Sequence, residues 1–415
     1  MPFLLLLYVV AYLDRINVGF AALQMKQQLG FSDAVYGLGA GIFFVGYFFF
    51  QLPSNLILYR VGPRRWIALL MIVWGIVSSC MMFVETARGF YMLRFLLGTA
   101  EAGFFPGVIL YMRNWFPAGA RARASAMFLT AGPISGIIGG PISGALLRLD
   151  KLHGLAGWQW LFLIEGLPAV LLGVIVFFKL ADNLHQAGWL TAEQKQWLVE
   201  TLRKEDAEAE GGVKMNAFSA FGMGRAWLLA LVYFALTTGS YSISLWLPTV
   251  LHQASHFGIL ALGFLTTIPY IFAGLMMVLN GLHSDRTNER FWHVAIPAFV
   301  AAVALAGAAH AVSFPALVCC FAVGYAGVQC MNGPFWAIST RTLGSTAAPA
   351  GIAMINSIGN LGSGLGPYMI GFVKTYTGSF QLPLLLVGAV LAMGGVVVLV
   401  VRTVTQQQQR PTQIA

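Results

Sequence analysis

The sequence predicts an all-α membrane protein of twelve transmembrane helices, arranged as two six-helix bundles. Three observations carry this. Of 415 residues, 58% are hydrophobic and only 9% charged, with a mean hydropathy of +0.76, where a soluble domain carries roughly 25% charged residues. Apolar runs of about 20 residues, each enough to cross a hydrocarbon core of ~30 Å, recur along almost the whole chain. No alternating ten-residue pattern competes with them, so helices that satisfy their own backbone groups are expected over a barrel. The third observation is an internal repeat, taken up below.

In chain order the first span is 3–23, within "YVVAYLDRINVGFAALQM". It has no small-residue cleavage site after it and carries Asp14 and Arg15 near its centre, so it reads as a retained helix rather than a signal peptide. Each ionised side chain there costs on the order of 2.5–3.5 kcal/mol on insertion scales, which marks the pair as functional. Spans 35–59, 66–84 and 89–112 follow, the last with Arg94 and Glu101 in "MLRFLLGTAEAGFFPG". Seven residues at 100° each put those two on nearly one face, about 10 Å apart along the axis.

The fifth span, 122–147, contains "GPISGIIGGPISGALL", whose small residues at four-residue spacing are read as helix packing or bending. The sixth, 158–179, contains Glu165, expected to hydrogen-bond to backbone or a neighbouring helix. The polar stretch 181–224, with "RKEDAEAEGGVK", is expected to be a cytoplasmic linker holding a short amphipathic helix. Spans 225–250, 258–282, 292–312, 314–340, 347–373 and 380–402 complete the second half, and 403–415 is a short tail. The expected division is thus a first bundle over 1–180, the linker, a second bundle over 225–402, and the tail.

An offset of 226 relates the halves. It places Arg60 on Arg286, Trp66 on Trp292, Gly98 on Gly324, Gly107 on Gly333, and Gly136, Gly140 and Pro141 on Gly362, Gly366 and Pro367. One offset serving separated regions argues for duplicated bundles in parallel repeat. The same offset pairs Asp14 with Ser240, Arg15 with Tyr241, Arg94 with Cys320 and Glu101 with Gly327. All four central charges therefore lie in the first half, as a functional rather than a structural requirement would have it.

The net charge of +9 does not point to nucleic acid. Seventeen of the 24 basic residues fall on one set of loops, five on the other, and Arg15 and Arg94 lie inside spans. That bias sets both termini in the cytoplasm. The cysteines Cys80, Cys319, Cys320 and Cys330 lie in spans without ligand spacing and are expected to be apolar filler. The seven histidines are scattered over loops and span ends with no metal motif, so no metal, redox cofactor or enzyme chemistry is expected.

The types of the central charges suggest a chemistry. An arginine offers a permanent planar fork that grips a carboxylate bidentately, and carboxyls in a partly desolvated cavity can exchange protons in the physiological range. Together, on neighbouring cavity-lining helices, they read as an anion-binding, proton-coupled site.

The chain resembles the major facilitator superfamily over essentially its whole length. That family's inter-span motif is met at Gly281, Asp285, Arg286 and Arg290; the first-half copy keeps Arg60, Gly62, Arg64 and Arg65, but has Asn55 for the glycine and Tyr59 for the acid. Tyr59 cannot form the charge pair an acid would. The stretches "YLDRINVGFAALQM", "GLGAGIFFVGYFFFQLPSNLIL", "RFLLGTAEAGFFPGVILYMRNWFP" and "GWQWLFLIEGLPAVLLG" resemble the anion:cation symporter branch, which includes bacterial tartrate, phthalate, hexuronate and galactonate permeases and animal vesicular and lysosomal organic-anion carriers. The resemblance implies proton-coupling acids at Asp14 and Glu101, a substrate-carboxylate arginine at Arg15 and a supporting arginine at Arg94. It further implies substrate contacts at Tyr12, Tyr47, Trp336 and Asn356; the polar residue expected three before Trp336 is Gly333 here.

The expectation that follows is a monomeric permease of the bacterial inner membrane, taking up a small organic carboxylate such as tartrate or a related hydroxy or aromatic acid, with protons as coupling ion. Two alternatives stay open: a drug/proton antiporter, which the fifth-span glycine pattern favours, and a transporter-like carboxylate sensor. The first span begins almost at Met1, without the usual short cytoplasmic lead, which leaves room for a start further upstream.

Overall fold

The computed structural model describes residues 1–182, 184–188, 190–210 and 222–409. The middle of the linker, with Lys214, and the end of the tail, with Arg410, lie outside the described residues. The first half comprises α1 (Pro2–Leu29), α2 (Asp33–Val61), α3 (Pro63–Cys80), α4 (Ala87–Glu101), α5 (Phe104–Trp115), α6 (Ala118–Leu129), α7 (Ala131–Leu146) and α8 (Gly157–Lys179); α9 (Ala192–Glu210) lies in the linker stretch. The second half comprises α10 (Gly224–Gln253), α11 (Ile259–Thr287), α12 (Trp292–Ala309), α13 (Phe314–Cys330), α14 (Asn332–Thr377) and α15 (Gln381–Gln409).

Local chemistry sets many of these boundaries. α1 ends at Gly30, left-handed at φ 67°, and Ser32 caps α2 by accepting from the Val35 amide at 3.2 Å. Thr86 and Ser313 cap α4 and α13 in the same way. Three expected spans are each built from two helices, the tenth (314–340) breaking at Met331 between α13 and α14. The fourth breaks at Ala102–Gly103 between α4 and α5, and the fifth at Thr130 between α6 and α7.

Among the described residues, eleven helical stretches are long and apolar enough to cross a bilayer. The twelfth crossing is the second part of α14. At 46 residues that helix is about twice a membrane crossing, and it is not straight. Phe335 stacks on Tyr233, and a Cβ on Gly359 would overlap the same ring, whereas a straight helix would part the two positions by about 36 Å. The chain therefore doubles back between them, completing six spans in each half. With an even number of crossings, α1 begins and α15 ends on one side of the molecule, here the near side; the other is the far side.

The bundles meet along α1–α10, α2–α14 and α7–α11. The close approaches fall in the far halves of these helices. A Cβ on Gly41 would stand 2.5 Å from the Gly364 carbonyl oxygen, and one on Gly37 2.8 Å from that of Pro367. The Tyr36 hydroxyl donates to the Leu245 carbonyl at 2.8 Å, and the Ala34 amide to Thr375 Oγ1 at 2.9 Å. Gly140 and Gly144 lie against Gly263 and Ile259 of α11, so the fifth-span glycines do serve packing, between bundles. Gly41→Val should wedge the far side open. Overpacking of about 1–3 kcal/mol, roughly a 5- to 150-fold shift in closure, is expected to cut transport at least several-fold while size-exclusion behaviour stays normal; wild-type transport would mean this contact is not needed in the cycle.

Candidate functional site

The central charges are brought together by glycine-mediated packing of α4 on α2. A Cβ on Gly98 would collide with the Phe43 carbonyl, so only glycine lets the two backbones approach this closely. That approach carries Arg94 and Glu101 towards α1 and α2. Arg94, 1% exposed, donates from Nε to the Gly39 carbonyl at 3.2 Å, with its guanidinium 4.9 Å from the centre of the Phe43 ring. Arg15 Nε donates to Glu101 Oε2 at 2.6 Å, a charge-assisted bond with both side chains buried.

The Arg15 guanidinium is ringed by aromatic side chains: Tyr47 at 5.2 Å, Tyr12 at 5.4 Å and Phe43 at 5.8 Å. Its Nη2 and the Oε1 of Glu101 are buried without a hydrogen-bond partner among the described residues. The arrangement is a guanidinium held by one internal carboxylate, with donor and acceptor capacity left over.

Asp14 departs from the expected arrangement. It pairs with neither arginine. Trp74 Nε1 donates to its Oδ2 at 3.2 Å and Ser78 Oγ to its Oδ1 at 2.7 Å, both from α3. Adjacent residues on a helix point about 100° apart, so when Arg15 faces α4, Asp14 faces α3. The four charges thus form one ion pair, one arginine held by a backbone carbonyl, and one acid held by neutral donors.

Of the other expected contacts, Tyr12 and Tyr47 border Arg15, as above. Trp336 packs on Tyr233 at 4.9 Å between ring centres, and Tyr233 lies within electrostatic reach of Arg15 and Tyr12. Asn356 accepts from Asn360 at 3.2 Å within its own helix. Tyr241 was not foreseen as part of the site. Its ring packs edge-on against Phe44 at 4.5 Å, and its hydroxyl is within hydrogen-bonding reach of Arg15 and Tyr12. It occupies the repeat position of Arg15, and positions related by a two-fold repeat meet where they lie near its axis, so the offset already held the signal.

At the near side, Asp285 pairs with Arg290 at 2.6 Å, and Arg290 donates to Ser284 at 2.9 Å; Gly281 is half-buried, while Arg60, Arg65 and Arg286 are exposed. The acid missing at Tyr59 is supplied from elsewhere. Asp182, just past α8, accepts from the Arg64 amide at 3.1 Å and stands 3.4 Å from Arg64 Nε. Gly62 turns directly from α2 into α3 at φ 87°, and its repeat counterpart Asn288 is also left-handed, at φ 50°. His283 and His293 do meet, at 2.7 Å, with Glu289 bound to His293; no metal-ligating group of three is found among the described residues. Cys330 is buried as expected, but Cys319 is exposed and Cys80 and Cys320 are half-buried.

At the far side, Asp33 bridges Lys26 and, at 3.2 Å across the bundle interface, Lys374; the Lys374 ammonium also sits 4.0 Å from the Phe380 ring centre. Asp33→Asn should weaken far-side closure by about 1 kcal/mol, the scale of partly exposed pairs, or roughly fivefold. Reduced disulfide trapping between cysteines placed at Ala34 and Thr375 would register it; unchanged trapping would make the cluster incidental.

The model of the Major Facilitator Superfamily matches residues 4–367. The chain belongs to that superfamily. It is 50% identical over 401 residues to a candidate tartrate transporter of Agrobacterium vitis, covering 96% of this chain and 88% of that one. It is 40% identical over 411 residues to a quinolone resistance transporter of Acinetobacter baumannii, covering 99% and 95%. Its fold is similar to the inward-facing, unoccupied crystal structure of a bacterial homologue of the human lysosomal transporter Spinster, with a TM-score of 0.81 at 16% identity, covering 99% and 98%. This member of the Major Facilitator Superfamily is a multi-pass membrane transporter of a small molecule, not an enzyme.

Proposed function

We propose that the chain imports a small organic carboxylate, tartrate or a related hydroxy or aromatic acid, together with protons. The observation that carries this reading is the buried Arg15–Glu101 pair, in which an internal carboxylate occupies the guanidinium that a substrate carboxylate would need. Protonation of Glu101 removes the competitor, and deprotonation restores it. Proton and anion are then loaded together and released together. The name of the 50% identical relative supports the substrate class.

In this reading the near side is the cytoplasm of a bacterial cell, since the basic loops lie there, and both termini are cytoplasmic. Far-side contact between the bundles then corresponds to an inward-facing state. Outside-open, the protonated acids leave Arg15 to the substrate, with Arg94 supporting and Tyr12, Tyr47, Trp336 and Asn356 bordering the anion. The bundles, 1–180 and 225–402, rock about this centre, with the Gly62–Arg65 and Gly281–Arg290 turns and their arginines Arg60 and Arg286 as near-side gates. Inside, deprotonation lets Glu101 displace the anion. Asp14, on α1 and turned towards α3, acts on the same cycle away from Arg15. The unit is a monomer and needs no cofactor beyond the coupling proton.

A second reading, a drug/proton antiporter, is favoured by the 40% identical quinolone resistance relative and by Gly136-xxx-Gly140-Pro141. The two predict opposite substrate flow under one proton gradient. In proteoliposomes with an acid exterior, external radiolabelled tartrate or a related acid should accumulate inside, and a protonophore should collapse it. Carboxylates left outside while a lipophilic cation moves against the proton flow would overturn the symport reading. Counterflow in the same vesicles excludes a sensor that binds without moving its ligand.

A further inference from the structure

Glu165 on α8 is buried in the first bundle and has no part in the mechanism above. Its Oε1 accepts from Ser143 Oγ of α7 at 2.8 Å, while its Oε2 is buried without a partner among the described residues. The carboxamide of Asn17 on α1 faces it, with Nδ2 and Oδ1 both buried and outside hydrogen-bonding geometry. Asn17 lies three residues from Asp14, on the same face of α1, and Glu165 is close enough to Asp14 for the two carboxyls to couple electrostatically.

The depths of these groups are ordered. Gln24 of α1 bonds both Leu147 and Trp158 and so gives the three helices a common level; at 1.5 Å per residue from it, Ser143 lies about 6 Å in, Glu165 and Asn17 both about 10 Å, and Asp14 about 15 Å. They form a polar ladder from the far side down to Asp14 between α1, α3, α7 and α8, with Ser79 of α3 against Gly166 beside it. From the elements packed on α8, the charged group facing Glu165 is Asp14 of α1. α3 and α7 present only neutral side chains there, and Arg148, in the short turn after α7, is exposed.

From this geometry we infer that Glu165 is a third proton-carrying carboxyl, which takes protons from the far side and passes them to Asp14, with Asn17 and Ser143 as positioning residues. In the step, the O–H bond on the Glu165 carboxyl breaks and, by way of water admitted between the two carboxyls as the bundles rock, one forms on an Asp14 oxygen. Glu165 returns to carboxylate and is refilled from the far-side solution. The inference rests on the proton-coupled reading above.

The test uses the full chain in proteoliposomes with radiolabelled tartrate. Glu165→Gln keeps the size and the bond to Ser143 but cannot carry a proton. It should retain counterflow within about twofold, lose proton-driven accumulation by at least about tenfold, and show a flattened dependence of uptake on external pH. Glu165→Asp should recover part of both. Wild-type accumulation and pH profile in Glu165→Gln would overturn the inference, as would equal loss of counterflow and accumulation with no rescue by aspartate. If Glu165→Gln does not fold, Ser143→Ala serves instead: it should shift the pH profile and leave counterflow intact, and an unmoved profile counts against the relay. Wild-type protein that exchanges tartrate but never accumulates it would instead defeat proton coupling itself.

Discussion

Arg15→Ala is expected to abolish carboxylate uptake, a loss of more than a hundredfold. Its guanidinium is the one ringed by Tyr12, Tyr47 and Phe43 together, and its Nε holds Glu101 at 2.6 Å. Removing it takes away the fork that would bind the anion and strands a buried carboxylate. Stranding one partner of a buried pair costs about 3–5 kcal/mol, so loss of folding must be separated from loss of binding. The double variant Arg15→Ala, Glu101→Gln removes the stranded charge along with its partner. It should restore expression and thermal stability while leaving transport absent. Arg15→Lys should recover less than about a tenth of uptake, because an ammonium is a point charge without the planar fork. Uptake near wild type by the alanine variant would show that Arg15 is a structural partner of Glu101 and not an anion ligand.

Much of the architecture was legible in the chain. Spans announce themselves by length and apolarity, and the offset of 226 pairs even details such as the left-handed turns at Gly62 and Asn288. The breaks at Ala102–Gly103, Thr130 and Met331 were not legible, because a helix interrupted inside a bilayer keeps the composition of an unbroken one. The central charges were legible as types but not as pairs. Which acid meets which arginine depends on helix rotation, and the 100° between Asp14 and Arg15 was a signal left unused. Asp182 replaces the acid missing at Tyr59 from more than a hundred residues away, and Lys374 reaches Asp33 from the other half. Nothing local encodes such contacts; they follow from how the helices are stacked.

Glu101→Gln is expected to separate exchange from accumulation. The amide fills the space of the carboxyl but carries no charge, so it mimics the protonated state permanently. Arg15 is then free for the substrate on either side of the membrane, and binding should be as tight as in the wild type or tighter. Counterflow, which needs only loaded bundles to rock, should persist. Release into the cytoplasm should slow, because no internal anion returns to claim the guanidinium. Proton-driven accumulation should fall by at least about tenfold, since the step that ties anion release to proton release is gone. The pH dependence gives the sign. In the wild type, Glu101 must be protonated before the anion enters, so external acid speeds uptake; in Glu101→Gln, binding should be alike at mildly acid and mildly alkaline pH. Uphill accumulation at the wild-type level would place the coupling elsewhere. The remaining carrier would be Asp14, held by Trp74 and Ser78 on α3, and the Arg15–Glu101 bond would then serve to orient the arginine rather than to time its release.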